Sequence, residues 1–123
     1  MSFLTPRKRA RALGASGGGT EHHWMTMVTS TALLVLIPAF VFTFGAILGR
    51  PYEEAVAALS RPFPAIVIGL TLLVSLLHFR NGVQVVLEDY AHGLPRKAMV
   101  IAAVCLTYGL LAIGLFAVAR LAL

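Results

Sequence analysis

An all-α membrane fold, with three helices crossing a bilayer, is the architecture this sequence predicts. Hydrophobic residues make up 59% of the 123-residue chain and charged residues 12%, half the ~25% that a soluble domain carries. Mean hydropathy is +0.86. Three apolar runs, each near the ~20 residues needed to cross the hydrocarbon core, account for most of the length. Little is left over for extramembrane chemistry, so the chain is expected to act as a subunit beside other polypeptides.

Residues 1–20 come first and read as a flexible, basic, Gly/Ser-rich tail. Four of the ten basic residues (Arg7, Lys8, Arg9 and Arg11) crowd the first eleven positions, and GASGGGT follows. Such a segment has no packing capacity of its own. Despite the net charge of +5, the cluster reads as a topology signal and not as a nucleic-acid patch. It is not a secretory signal peptide, because the apolar run behind it starts too late and is too long.

Residues 21–123 form the three-span unit. Thr20 or Glu21 starts a helix, which puts His22, His23 and Trp24 at the water–lipid boundary. The first span covers about 25–48. Pro38 inside it removes one backbone hydrogen bond and predicts a kink. Thr26, Thr29, Ser30 and Thr31 give its first half a polar side, which should pack on another helix or a bound group. Gly49, Arg50 and Pro51 end that span, and PYEEAVAALSRPFP, with prolines at both ends, predicts a short interfacial helix. The second span covers about 63–87. EDYAHGLPRK turns the chain, with Gly93 and Pro95 as stop and restart residues. The third span covers about 97–121, where Ala98, Ala102, Cys105, Gly109, Ala112 and Ala119 permit close helix contact. Cys105 is the single cysteine, which excludes an intrachain disulfide or a thiolate metal site.

Basic residues set the expected orientation. The N-terminal cluster and Arg96–Lys97 fall on one side, and the charge-balanced first loop falls on the other. By the positive-inside rule the N-terminus lies inside and the C-terminus outside. Asp89 and Tyr90 then stand at the inner boundary.

The second span carries the chemistry, in LLHFRNGVQVVLEDY. An ionisable side chain at membrane depth costs at least ~2.5 kcal/mol and is a functional candidate by default. His78 and Asp89 are eleven residues apart, so they share a helix face to within ~20° and stand ~16 Å apart along the axis. Thr71, Ser75, Gly82 and Val85 lie close to the same stripe. Three roles are open to His78: a core histidine hydrogen-bonded to another helix, a member of a proton relay, or an axial haem ligand with Gly82 clearing space for the macrocycle. A single histidine holds only one side of such an iron, so the other ligand would come from another chain. Tyr90 and Asp89 are either a solvated helix end or a phenol–carboxylate pair suited to a quinone carbonyl, where reduction needs a positioned proton donor. Arg80 lies ~200° round from His78. It could snorkel inward, pair with Glu88, or meet a haem propionate.

These residues resemble a known family. The string H-x-x-x-G-x-x-x-V-L-x-D-Y, here His78, Gly82, Val86, Leu87, Asp89 and Tyr90, is similar to the second helix of the SdhD-type hydrophobic anchor of succinate dehydrogenase, respiratory complex II. DYAHG before a third span and HHW before the first resemble it too, so the likeness covers about residues 20–123. It implies that His78 is one axial ligand to haem b, with a second, cytochrome b556-type anchor supplying the other and completing the helical bundle. It implies that Tyr90 and Asp89 serve the ubiquinone site, with Arg80, Gly82 and Ser75 near the haem. FAD and iron–sulfur clusters would sit only on the flavoprotein and iron–sulfur partner subunits. The implied work is electron transfer for the respiratory chain and the tricarboxylic acid cycle. The wording is closest to alphaproteobacterial and mitochondrial-type members, which places the chain in a bacterial cytoplasmic membrane in preference to a mitochondrial inner one. Relatives often carry an arginine three residues after the tryptophan, where it can meet a haem propionate; this chain has Met27 there. Two rival readings are a fumarate reductase anchor, with the same architecture, and a small three-span holin-like pore-former, which needs no such ordered His–Gly–Asp–Tyr spacing.

Overall fold

The computed structural model describes residues 5–7 and 19–123; the expectation for the 1–20 tail falls almost wholly outside them. Among the described residues four helices follow in order: α1 (Gly19–Gly45), α2 (Tyr52–Leu59), α3 (Pro62–Tyr90) and α4 (Gly93–Ala122). There is no strand among them. Three helices are long and apolar enough to cross a membrane: Thr20–Gly45, Pro62–Tyr90 and Gly93–Ala122. The fold class is therefore as the composition requires.

Element ends differ from expectation by a few residues, for local reasons. α1 stops at Gly45 and not near residue 48, because the chain enters successive turns that close with Gly49 at φ +82°. That left-handed conformation suits glycine. Pro51 caps α2, and Pro62 sits at the start of α3, where its missing N–H is not needed. α1 runs through Pro38 as one helix. At the far end α3 continues through Glu88, Asp89 and Tyr90, so only Ala91 and His92 separate it from α4. Gly93 makes this two-residue turn possible with φ +67°.

α3 is the middle helix. α1 and α4 each pack along it, and neither contacts the other. On the α4 side, Thr107 is fully buried and returns its hydroxyl to the Ala103 carbonyl at 2.8 Å. Gly114 lies so close to Leu72 that a Cβ there would overlap the leucine side chain. The small residues expected to mediate this contact (Ala98, Ala102, Cys105, Gly109, Ala112 and Ala119) are instead exposed. Helix α4 turns Ala103, Thr107, Gly114 and Val118 towards the contact, at spacings of four and seven residues that keep one face on its neighbour.

Little of the molecule is sealed. Leu34, Phe42, Ile113 and Phe116 are all more than two-thirds exposed. Such surface is expected of a bundle whose apolar exterior meets lipid or other membrane chains.

Candidate functional site

The seam between α1 and α3 holds His78. Its Nδ1 lies 3.0 Å from Thr29 Oγ1. Thr29 is 6% exposed, and its hydroxyl is also 2.8 Å from the Met25 carbonyl and 3.1 Å from that of Thr26. A hydroxyl has one hydrogen to give. The α1 carbonyls take it, so the Thr29 oxygen accepts and His78 Nδ1–H donates. This ties Nδ1 to α1 and leaves Nε2 for another partner. Nε2 has no hydrogen-bond partner among the described residues and is not sealed within them. The ring lines an open groove of about 430 Å³ with Ser30, Leu33, Leu34, Ile37 and Pro38.

Of the four hydroxyl residues that give α1 its polar side, only Thr29 reaches across to α3. Thr26, Ser30 and Thr31 return their hydroxyls to carbonyls four residues back, at 3.0, 2.8 and 2.9 Å. A hydroxyl that bonds its own helix no longer needs a partner in lipid.

The expected stripe on α3 is divided among different surroundings. Thr71 is buried against α1, bonded to the Val67 carbonyl at 2.7 Å and near that of Leu36 at 3.5 Å. Ser75 lines a separate, larger apolar groove of about 670 Å³, whose walls include Phe40, Phe44, Leu72 and Val118. Gly82 is exposed, and a Cβ added there would meet nothing. Asp89 and Tyr90 end α3 in the open, Tyr90 85% exposed. Neither makes a side-chain hydrogen bond with any described residue. Tyr90 stands twelve residues beyond His78 in an unbroken helix, or ~18 Å.

Arg80 does not share the groove of His78. Its Nη1 donates to the Tyr108 hydroxyl on α4 at 2.7 Å, and the guanidinium carbon lies 5.7 Å from that ring's centroid. Glu88 is not its partner: Gln84 Nε2 donates to Glu88 Oε1 at 3.0 Å. Arg80 lines a third pocket with Glu21, His22, Met25, Leu77 and Asn81. Met27, in the slot of the expected arginine, is half exposed on α1.

Three contributions were not identified from sequence. Thr29 as the partner of His78 and Tyr108 as the partner of Arg80 depend on the register between helices 49 and 28 residues apart in sequence, which no local pattern encodes. Asn81, 8% exposed, sits beside Arg80, and an amide in an apolar span was a detectable signal.

His78 is the one metal-ligating side chain among the residues that line this groove. Among the described residues no three His, Cys, Asp or Glu side chains cluster. An imidazole held through Nδ1 with Nε2 open is the arrangement common to histidines that bind metals through Nε2.

Comparison with known proteins gives the family. The model for the succinate dehydrogenase/fumarate reductase transmembrane subunit matches residues 1–116. The chain is 37% identical over 123 residues to the succinate dehydrogenase hydrophobic membrane anchor subunit of Paracoccus denitrificans, covering 100% of this chain and 95% of that protein. No solved structure matches. A pore-former explains neither likeness. The chain belongs to the family of succinate dehydrogenase/fumarate reductase transmembrane subunits.

Proposed function

We propose that this chain is the succinate dehydrogenase anchor that gives one axial ligand, His78, to a haem b and one wall, Tyr90 with Asp89, to a ubiquinone-reduction site. The observation that carries the reading is the Thr29–His78 hydrogen bond. It fixes the imidazole with Nδ1 as donor and leaves Nε2 free on an open groove. A core histidine satisfied by its neighbours would have no reason to leave that second nitrogen unpaired in apolar surroundings.

A haem held there by His78 would supply one-electron transfer. His78 binds and Thr29 orients it. The exposed surface at Gly82, one turn further along α3, leaves room for a flat group held jointly with another chain. A second anchor subunit would complete the hold on that group, in keeping with a groove that has one histidine to offer. At the helix end the Tyr90 hydroxyl donates to a quinone carbonyl oxygen, and the Asp89 carboxylate stands beside it to hold or return a proton. Neither makes a side-chain hydrogen bond among the described residues, in keeping with a site completed by another subunit. Electrons reach that quinone from the partner subunits that carry FAD and the clusters. The membrane is the cytoplasmic membrane of a bacterium, with the N-terminus and the α3–α4 turn inside.

His78→Ala tests the ligand assignment. The purified complex is expected to lose or much reduce its b-type absorption, and an unchanged spectrum refutes the assignment.

A further inference from the structure

The pocket that holds Arg80 shares no residue with the groove of His78 and is independent of the haem reading. Arginine stays protonated in proteins. Here its only side-chain partner is a neutral phenol; no ion pair joins it to a carboxylate among the described residues, and its Nε is buried without a partner. A cation so placed in an apolar span calls for a counter-charge. Two more polar groups face the same need. His22 Nε2 is buried without a partner, and the amide of Asn81, itself nine-tenths buried, makes no hydrogen bond within the described chain. The three residues line one open pocket of about 290 Å³, with His22 Nε2 and Arg80 Nε sealed behind its wall, near the lower end of the ~300–1,000 Å³ range of small-ligand sites.

Its position and its remaining walls indicate what fills it. Glu21 and His22 lie at the very start of the apolar part of α1, beside Trp24, which is the depth of lipid headgroups. Met25 and Leu77 give the pocket an apolar side. Glu21 is exposed and lines the same pocket. A lone carboxylate or free phosphate entering there would stand beside a like charge, whereas a group with its own positive end would not. We infer that this pocket binds a phospholipid of the ethanolamine type, its phosphate facing Arg80, Asn81 and His22 and its ammonium facing Glu21.

The test uses the assembled complex, purified in mild detergent and phosphate-free buffer, partly delipidated, then supplied with phosphatidylethanolamine or phosphatidylglycerol. Native mass spectrometry at rising activation energy reads what is retained. Wild type is expected to keep one phosphatidylethanolamine after phosphatidylglycerol has been stripped. Arg80→Gln should lower that retention about ten-fold or more, as loss of a charged hydrogen bond implies. Glu21→Gln should keep the lipid but erase the preference between headgroups, and haem absorption should not change in either variant. Equal retention by wild type and Arg80→Gln overturns the proposal, as does loss of haem absorption in Arg80→Gln, which would turn the arginine towards the haem. A wild-type complex that keeps neither lipid also overturns it, because the counter-charge is then a neighbouring subunit's carboxylate. If Arg80→Gln does not assemble, Asn81→Leu leaves the charge in place, and undiminished retention there overturns the proposal equally.

Discussion

Replacing Thr29 with valine removes one oxygen from the α1–α3 seam and keeps the outline of the side chain. The hydroxyl's bonds to the Met25 and Thr26 carbonyls are local to α1, and a carbonyl that already accepts a backbone N–H within the helix loses little when they go. The consequence falls on His78, whose Nδ1–H loses its acceptor at 3.0 Å. A buried donor left unpaired costs ~1–3 kcal/mol. Between helices in membranes the measured average is lower, ~0.6 and at most ~1.7 kcal/mol, because the freed group finds another partner. His78 is only half buried, so the smaller scale governs, and ~1 kcal/mol is ~5-fold in a binding constant. Losing the outer partner of a ligating histidine commonly weakens metal binding ~10–100-fold, so ~5–10-fold is the expected loss of haem affinity. The assay is titration of haem into haem-depleted complex, followed by b-type absorption, with Thr29→Ser as the variant that keeps the oxygen. If Thr29→Val takes up haem as tightly as Thr29→Ser and wild type, the hydrogen bond does not hold the ligand.

Other outcomes follow from the same geometry. Tyr90→Phe should slow quinone reduction while succinate oxidation with a soluble dye continues; equal loss of both activities would indicate misassembly. Gly82→Ala meets nothing within the chain and gains ~1 kcal/mol of helix propensity. A complex that assembles normally but carries less haem is therefore expected, and full haem content would show that no macrocycle lies against that glycine. Gly114→Val drives side-chain atoms into Leu72, and overpacking of this kind costs ~1–3 kcal/mol. The thermal midpoint of the solubilised complex should fall, and Leu72→Ala in the same chain should restore part of it; additive losses would place the strain elsewhere.

The sequence was most legible where the physics is one-dimensional. Span number follows from length and apolarity alone, and the turns follow from Gly49, Pro51, Pro62 and Gly93, whose backbone preferences are local. The period of an ideal helix placed His78 and Asp89 on one long α3, and that helix is unbroken. What periodicity could not supply is which face meets which neighbour. The small-residue stripe on α4 looked like the packing face because small residues permit close approach, yet the contact uses Thr107 and Gly114, and the stripe is left exposed. In lipid both faces of such a helix are apolar, so no hydrophobic contrast marks the inner one. Register was equally invisible. Nothing near Arg80 indicates Tyr108, and nothing near His78 chooses Thr29 from among four hydroxyl residues on α1.

The polar groups of α3 also differ in what they leave unsatisfied, and depth accounts for the difference. Gln84 and Glu88, near the helix end, satisfy one another within a turn, and Asp89 and Tyr90 project where water or a partner can reach them. Deeper in the span, His78 turns to α1 and Arg80 to α4, so each spends one hydrogen-bonding group inside the chain. Neither is satisfied completely. Nε2 of His78 and Nε of Arg80 are left over, in residues that line different pockets. An unmet hydrogen bond in apolar surroundings costs ~1–3 kcal/mol, and a three-helix chain with so little buried core cannot easily absorb two of them. A chain built to stand alone would have closed these positions with apolar side chains. Their retention fits a subunit whose stability is completed by what binds at each pocket, and it predicts that the isolated chain is less stable than the same chain carrying leucine at position 78.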